Sequence, residues 1–160
     1  METTIAVDAT DKEDIYHQLI PQIRSLLSGE NDLIANLANL SAALKTSFRN
    51  ISWVGFYLAK GGELVLGPFQ GKPACVRIKF GRGVCGTSAE QQKTLIVPDV
   101  SKFPGHIYCD PDSKSEIVLP IIRGGKTVGV LDLDSDKYGS FDEIDAEQLA
   151  ILLELIEFDA

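Results

Sequence analysis

No apolar run in this chain exceeds strand length, so nothing in it predicts a membrane span. The opening residues, "METTIAVDATDKEDIYHQL", carry acids and no apolar stretch, which predicts no export leader. Basic residues are outnumbered: 15 Lys and Arg stand against 23 Asp and Glu, a net charge of −8. No basic cluster relieves this, so nucleic acid and membrane surfaces are excluded as partners on charge grounds. An acidic protein can still hold a ligand bearing an ammonium group. Internal repeats and low-complexity tracts are absent. There are three cysteines, Cys75, Cys85 and Cys109, with no Cys-x-x-Cys pair, which argues against a zinc ribbon. An odd cysteine count without a leader points to a reducing cytoplasm, where a disulfide is transient and catalytic.

What is present suits one domain over residues 1–160, 44% apolar and long enough for a real core. Ile15, Leu19, Ile23, Leu26 and Leu27 recur at helical spacing over 12 to 28, with Pro21 as a predicted kink and Gly29 as the stop. Leu33, Leu37, Leu40 and Leu44 mark a second amphipathic helix over 32 to 48, capped by Asn31 or Asp32. β-branched and aromatic runs follow. "NISWVGFYLA" and "ELVLGPFQG", split by Gly61-Gly62, read as a hairpin. "ACVRIKF" reads as a third strand, "GRGVCGTSAEQQK" as a glycine-rich turn entering a short helix, and "TLIVPDV" as a short strand. A polar loop over 99 to 114 precedes "EIVLPIIRGGKTVGVLDLDS", a second hairpin turning at Gly124-Gly125. Leu149, Leu152, Leu153 and Ile156 define a final helix, capped by Asp142. The fold class is therefore α+β: N-terminal helices at about 12–48, about six mainly antiparallel strands with loops at about 50–135, and a C-terminal helix at about 142–158. The terminal helices are expected to share one face of the sheet.

Strand parity then suggests a pocket. Trp53 and Tyr57 share a face, opposite Val54, Phe56 and Leu58. Asp132 and Asp134 share a face, opposite Leu131 and Leu133, and Glu116 shares its face with Val118, opposite Ile117 and Leu119. The terminal helices need the aliphatic side. Two aromatics and three carboxylates are left on the other, beneath a cysteine-bearing loop, which predicts a small-molecule pocket.

The cysteines allow three readings from spacing alone: unrelated core thiols, a nucleophile with a resolving partner, or a zinc site joining His106 to Cys75, Cys85 and Cys109. Cys109 fits the core reading worst, because "GHIYCDPDSKSE" is polar and acidic. Most strand carboxylates are merely solvated. Clustered and buried, however, Glu116 would have its pKa raised and could hold a proton near neutral pH. "GRGVCG" lacks both the lysine-serine ending of a P-loop and the dinucleotide fingerprint. Its backbone N–H groups at a helix start could still meet a carboxylate.

The motifs "SWVGFYL", "LVLGPFQGKPACVRI", "FGRGVCGTSA", "VPDVSKFPGHIYCD", "SEIVLPI" and "GVLDLDS" resemble the free methionine-(R)-sulfoxide reductases, stand-alone GAF-domain enzymes, from about residue 30 to residue 155. The resemblance implies reduction of free methionine-(R)-sulfoxide to methionine, with Cys109 as nucleophile, Cys75 as resolving partner and Cys85 as auxiliary or alternative resolver. It places Glu116, Asp132, Asp134 and Trp53 at the substrate; Tyr57 joins them through parity. It also implies oxidative-stress repair, no bound cofactor or metal, thioredoxin as the reductant supplied by NADPH through thioredoxin reductase, and a helix-mediated homodimer. The expected chemistry is attack by the Cys109 sulfur, proton donation by Glu116, a sulfenic acid at Cys109, then a disulfide with Cys75. One tension accompanies it. Asp110 and Asp112 flank the nucleophile and disfavour its thiolate, unless Arg82, Lys114 or His106 offsets them. The rival reading is a non-catalytic GAF module that senses a small ligand, for which "FDEID" at 141 to 145 is a faint, wrongly spaced match.

Overall fold

The computed structural model describes residues 4–107 and 109–158. Positions 1–3 and 159–160 of the expected domain, and position 108 in the cysteine loop, lie outside the described residues. Two helices come first, α1 (Lys12–Leu27) and α2 (Leu33–Ser47). α1 runs through Pro21 as one element, and Gly29, at φ +82°, takes the left-handed turn after it. Asp32, of the two candidates, caps α2 by accepting from the Ala35 N–H at 2.8 Å.

Six strands form one sheet: β1 (Trp53–Lys60), β2 (Glu63–Gln70), β3 (Arg77–Lys79), β4 (Leu95–Val97), β5 (Ser115–Arg123) and β6 (Lys126–Ser135). Their order is β3-β2-β1-β6-β5-β4, and every neighbouring pair is antiparallel. Both glycine pairs turn hairpins as expected, with positive φ at Gly61, Gly62, Gly124 and Gly125. A short helix, α3 (Gly83–Gln91), separates β3 from β4, and α4 (Glu143–Glu154) closes the chain. Asp142 begins α4 with a reciprocal capping box to Asp145.

The sheet divides two cores. α1, α2 and α4 pack on Val54, Phe56, Ile117, Leu119, Leu131 and Leu133. Cys85, Val84 and Ala89 of α3 pack on Trp53, Tyr57, Val118 and Val130 from the opposite side. Alternation along β1, β5 and β6 thus separates the two faces as the sequence pattern predicts.

Two boundaries differ from expectation. The third strand covers only Arg77–Lys79, because its pairing with β2 begins at Arg77↔Val65; Cys75 therefore sits in irregular chain. The last helix stops at Glu154 instead of reaching 158. Arg123, at the end of β5, donates to the Leu153 carbonyl at 3.0 Å and the Ile156 carbonyl at 3.4 Å, and lies over the Phe158 ring. That long-range guanidinium satisfies carbonyls another helical turn would have used. Among the described residues, no helix is long and apolar enough to cross a membrane.

Candidate active site

Sheet register builds the floor of the pocket. Asp134 pairs with Trp53 on one side and Glu116 on the other, so these three side chains form one row across β1, β6 and β5. In the next row Asp132 lies between Gly55 and Val118, and in the third Val130 lies beside Tyr57. Glycine at 55 is needed: a Cβ there would come 2.8 Å from Trp53 Cη2 and would collide with Phe69. The missing side chain lets the indole lie across the row, stacked on Phe69 with ring centroids 5.3 Å apart.

α3 lies over this floor. Its Cys85 thiol is buried and free of any disulfide, with Sγ 3.9 Å from Glu116 Oε1 as donor. At the helix start the first amides have no intrahelical acceptor. Gly86 is not among them, since its N–H donates to the Arg82 carbonyl at 3.0 Å; the amides of the first turn before it are those of Gly83, Val84 and Cys85. Irregular segments at 71–76, 103–107 and 109–114 make the rim and carry Cys75 and Cys109. These two sulfurs are joined as a disulfide across a Cα–Cα distance of 5.6 Å. The cleft, with its open mouth, holds about 590 Å³ of non-atom space, lined by Trp53, Tyr57, Cys85, Cys109, Glu116, Asp132 and Asp134, among others. All eight predicted site residues contribute to it; Cys75 does so through its bond to Cys109.

The electrostatics are unusual. Glu116 and Asp132 are only 5% and 6% exposed, yet neither they nor Asp134 has an ion-pair partner among the described residues. Burial pushes Glu116 well above the ordinary carboxyl range, and the Asp132 and Asp134 charges push it further. Asp134 is raised well above its usual value by burial and then by Asp132 and Asp110. Asp132 is raised by burial alone and pulled back by hydrogen bonding with Glu116 and Cys85. Glu116 and Asp132 titrate as a coupled pair, and burial raises both. Burial and the same acids also keep the Cys85 thiol protonated. Asp132 Oδ1 is buried without a hydrogen-bond partner among the described residues, and Asp132 lines the cavity. Donor atoms of Cys85, Glu116 and Asp132 lie within 4.8 Å of one another, close enough to hold a metal ion as well as an ammonium.

The acids beside Cys109 are offset by a residue that sequence reasoning missed. Lys72 Nζ lies 3.0 Å from Asp112 and 3.7 Å from Asp110. Its side chain is 65% exposed, so the pairing is worth little in stability, and it sets a positive charge against the two acids that follow Cys109. The candidates chosen from sequence serve less well. Lys114 lies over the Tyr138 ring at 5.3 Å, and burial lowers the His106 pKa toward the neutral imidazole. A lone lysine two residues after Gln70, opposite two acids flanking a cysteine, is the signal that could have found it. The four-ligand zinc site does not assemble here, because Cys75 and Cys109 are bonded to each other. The weak tail motif is structural: Asp145 is buried under Tyr16 Oη and Lys12 Nζ, each 2.6 Å away.

A six-stranded antiparallel sheet with helices on one face and a polar ligand cavity on the other defines a GAF domain, here with thiols set into the cavity. The GAF domain family model matches residues 31–158. GAF domain-containing protein A of Dictyostelium discoideum is 58% identical, covering 98% of this chain and 99% of that protein. The free methionine-R-sulfoxide reductase of Saccharomyces cerevisiae is 47% identical over 91% of this chain and 86% of its own length. The Neisseria meningitidis free methionine-R-sulfoxide reductase, solved in complex with its substrate, superposes with a TM-score of 0.93 at 46% identity, covering 96% of this chain and 93% of that one. The chain belongs to the GAF domain family and, within it, to the free methionine-R-sulfoxide reductases.

Proposed function

We propose that this protein reduces free methionine-(R)-sulfoxide to methionine through a thiol cycle, working as one GAF domain. The observation that carries the reading is the pairing of a Cys75–Cys109 disulfide with three carboxylates in one pocket, Glu116 and Asp132 buried and Asp134 half-buried, none in an ion pair among the described residues. A sulfoxide oxygen is a poor leaving group until it is protonated. Glu116, held in its acid form by burial, donates that proton. The Cys109 sulfur attacks the substrate sulfur, oxygen passes to Cys109 as a sulfenic acid, and methionine leaves. The Cys75 thiol then displaces that oxygen as water, giving the disulfide seen here. A dithiol reductant returns both thiols. Thioredoxin, supplied by NADPH through thioredoxin reductase, is the proposed reductant, and the cytoplasm the compartment that provides it.

The free amino acid fits the charge pattern. Its ammonium meets Asp132 and Asp134, and its carboxylate meets the first amides of α3 and Arg82. Trp53 and Tyr57 supply the apolar wall for the methyl end. Cys85 stands as the auxiliary thiol, 3.9 Å from the acid. A helix-mediated homodimer belongs to the same reading, supported by exposed Ile34 on α2 and Ile151 on α4.

Thioredoxin-coupled NADPH consumption tests this. Turnover is expected with the free R epimer, with little on the S epimer or a sulfoxide-containing peptide. Cys109→Ser is expected to fall to background. Normal turnover by that variant, or equal use of the peptide, overturns the proposal.

A further inference from the structure

Apart from the disulfide and the Lys72 ion pairs, the segment that carries Cys75 is held from below, and just after it the Val76 carbonyl accepts from the Leu66 N–H at 2.9 Å. Between the end of β2 and Val76 the backbone makes no ladder bonds. Among the described residues, the backbone of 71–75 receives two hydrogen bonds, and both come from aromatic side chains of the pocket floor. Trp53 Nε1 donates to the Lys72 carbonyl at 3.0 Å, and the Tyr57 hydroxyl donates to the carbonyl of Cys75 itself at 2.9 Å. Trp53 also lies against Gly71, where a Cβ would come 2.5 Å from its Cδ1. The two rings share a face of β1 on either side of Gly55, 6.1 Å apart, and Tyr57 is 2% exposed. A rigid strand thus reaches through the pocket to hold the thiol that must meet Cys109.

We propose that the Tyr57 hydroxyl is a positioning group for the second half of the cycle, in which Cys75 closes on the oxidised Cys109. This rests on Cys109 as nucleophile and Cys75 as resolver. The step is Cys75–SH plus Cys109–S–OH giving the disulfide and water: the Cys75 sulfur loses its proton and is oxidised, the sulfenic sulfur is reduced, and the S–O bond breaks. An intramolecular step of this kind gains its rate from the effective concentration of the two sulfurs. Without the tether, residues 71–75 keep one backbone hydrogen bond, at Lys72, three residues before Cys75. The ring of Tyr57 and its hydroxyl then have separable jobs: the ring walls the substrate, and the hydroxyl places the resolver.

Tyr57→Phe separates them, because it keeps the ring and removes the donor. When resolution becomes limiting, kcat falls and KM for the sulfoxide falls with it, so kcat/KM holds. The expected drop in kcat is about threefold to tenfold, the size set by one neutral hydrogen bond. The sulfenic acid at Cys109 is expected to accumulate and be trapped by a dione reagent during turnover, a signal weak in the wild type. The Cys75–Cys109 disulfide, equilibrated with dithiothreitol, is expected to be reduced more readily by a similar factor. Cys75→Ser is the control: it gives one methionine per protein and full trapping if the underlying thiol assignment holds, and failure there refutes that assignment instead. A Tyr57→Phe enzyme with lowered kcat/KM and no trapped sulfenic acid shows a hydroxyl that serves the substrate, and overturns the positioning role. Unchanged kcat and unchanged disulfide equilibrium overturn it equally.

Discussion

Along β6, Leu131 and Leu133 are 0% exposed on one side of the sheet, while Asp132, 6% exposed, and half-buried Asp134 point to the other. One strand therefore supports two buried environments of opposite character. The leucines meet Phe56, Ile117 and the helices, and every atom they bury gains a packing partner. The aspartates meet Glu116 and Cys85 and find no counter-charge among the described residues. Burial alone does not stabilise: it does so where partners are present and stores unfavourable charge where they are missing. The helical side of the sheet holds the fold, and the α3 side holds a cavity whose carboxylates have no counter-charge among the described residues.

That contrast can be broken at its sharpest point first. Glu116→Gln keeps the shape of the pocket but removes the proton donor. Its kcat/KM is expected to fall about 10²- to 10⁴-fold, the range for loss of a general acid, while its melting temperature holds or rises. A variant with wild-type kcat/KM contradicts the acid role. The reverse behaviour is expected one strand away. Leu133→Ala removes a fully buried side chain, and denaturant unfolding should show a loss of about 2–5 kcal/mol. Turnover per folded molecule should stay close to wild type, and a selective catalytic defect would show that the two faces are not separate.

The third and smallest effect is the pH dependence of stability. Burial raises the folded pKa of Glu116 and Asp134 well above ordinary values, and that of Asp132 above it. In the unfolded chain these groups lose their protons near pH 4. Above that point the folded state binds more protons, so stability is full below the unfolded pKa and is lost as pH rises through the folded values. His106 works in the opposite sense, since its folded pKa is lowered; the useful quantity is therefore a difference between variants. Urea midpoints of the oxidised protein at about pH 5 and about pH 8 are expected to fall less in Asp134→Asn than in the wild type. Equal changes in both would mean that Asp134 titrates normally.

Much of this was legible because strand periodicity is strict. Once Trp53 and Tyr57, Asp132 and Asp134, and Glu116 were assigned to strands, their common face followed from parity, and the Gly61-Gly62 and Gly124-Gly125 turns fixed the hairpins. The caps at Asp32 and Asp142 were equally local. What escaped was long-range, and most of it was made to backbone. Any residue offers a carbonyl, so no pattern marks Lys72 and Cys75 as the acceptors of Trp53 and Tyr57. Arg123 ends α4 from thirty residues away, and Lys72 meets Asp112 across forty. The choice between Cys75 and Cys85 was also closed to spacing alone. It turns on depth: Cys85 is buried beneath α3, while Cys75 stands half-exposed on the rim.

The bond between the two rim sulfurs closes a loop of 34 residues that contains β3, α3 and β4. A covalent tie of that span restricts the denatured chain by roughly 4 kcal/mol in the loop-entropy picture. In the proposed cycle, each sulfoxide consumed therefore leaves behind a molecule harder to unfold than the one that met it. Spent catalyst is the sturdier form, and resistance to heat becomes a record of how much oxidant the population has met since its last reduction.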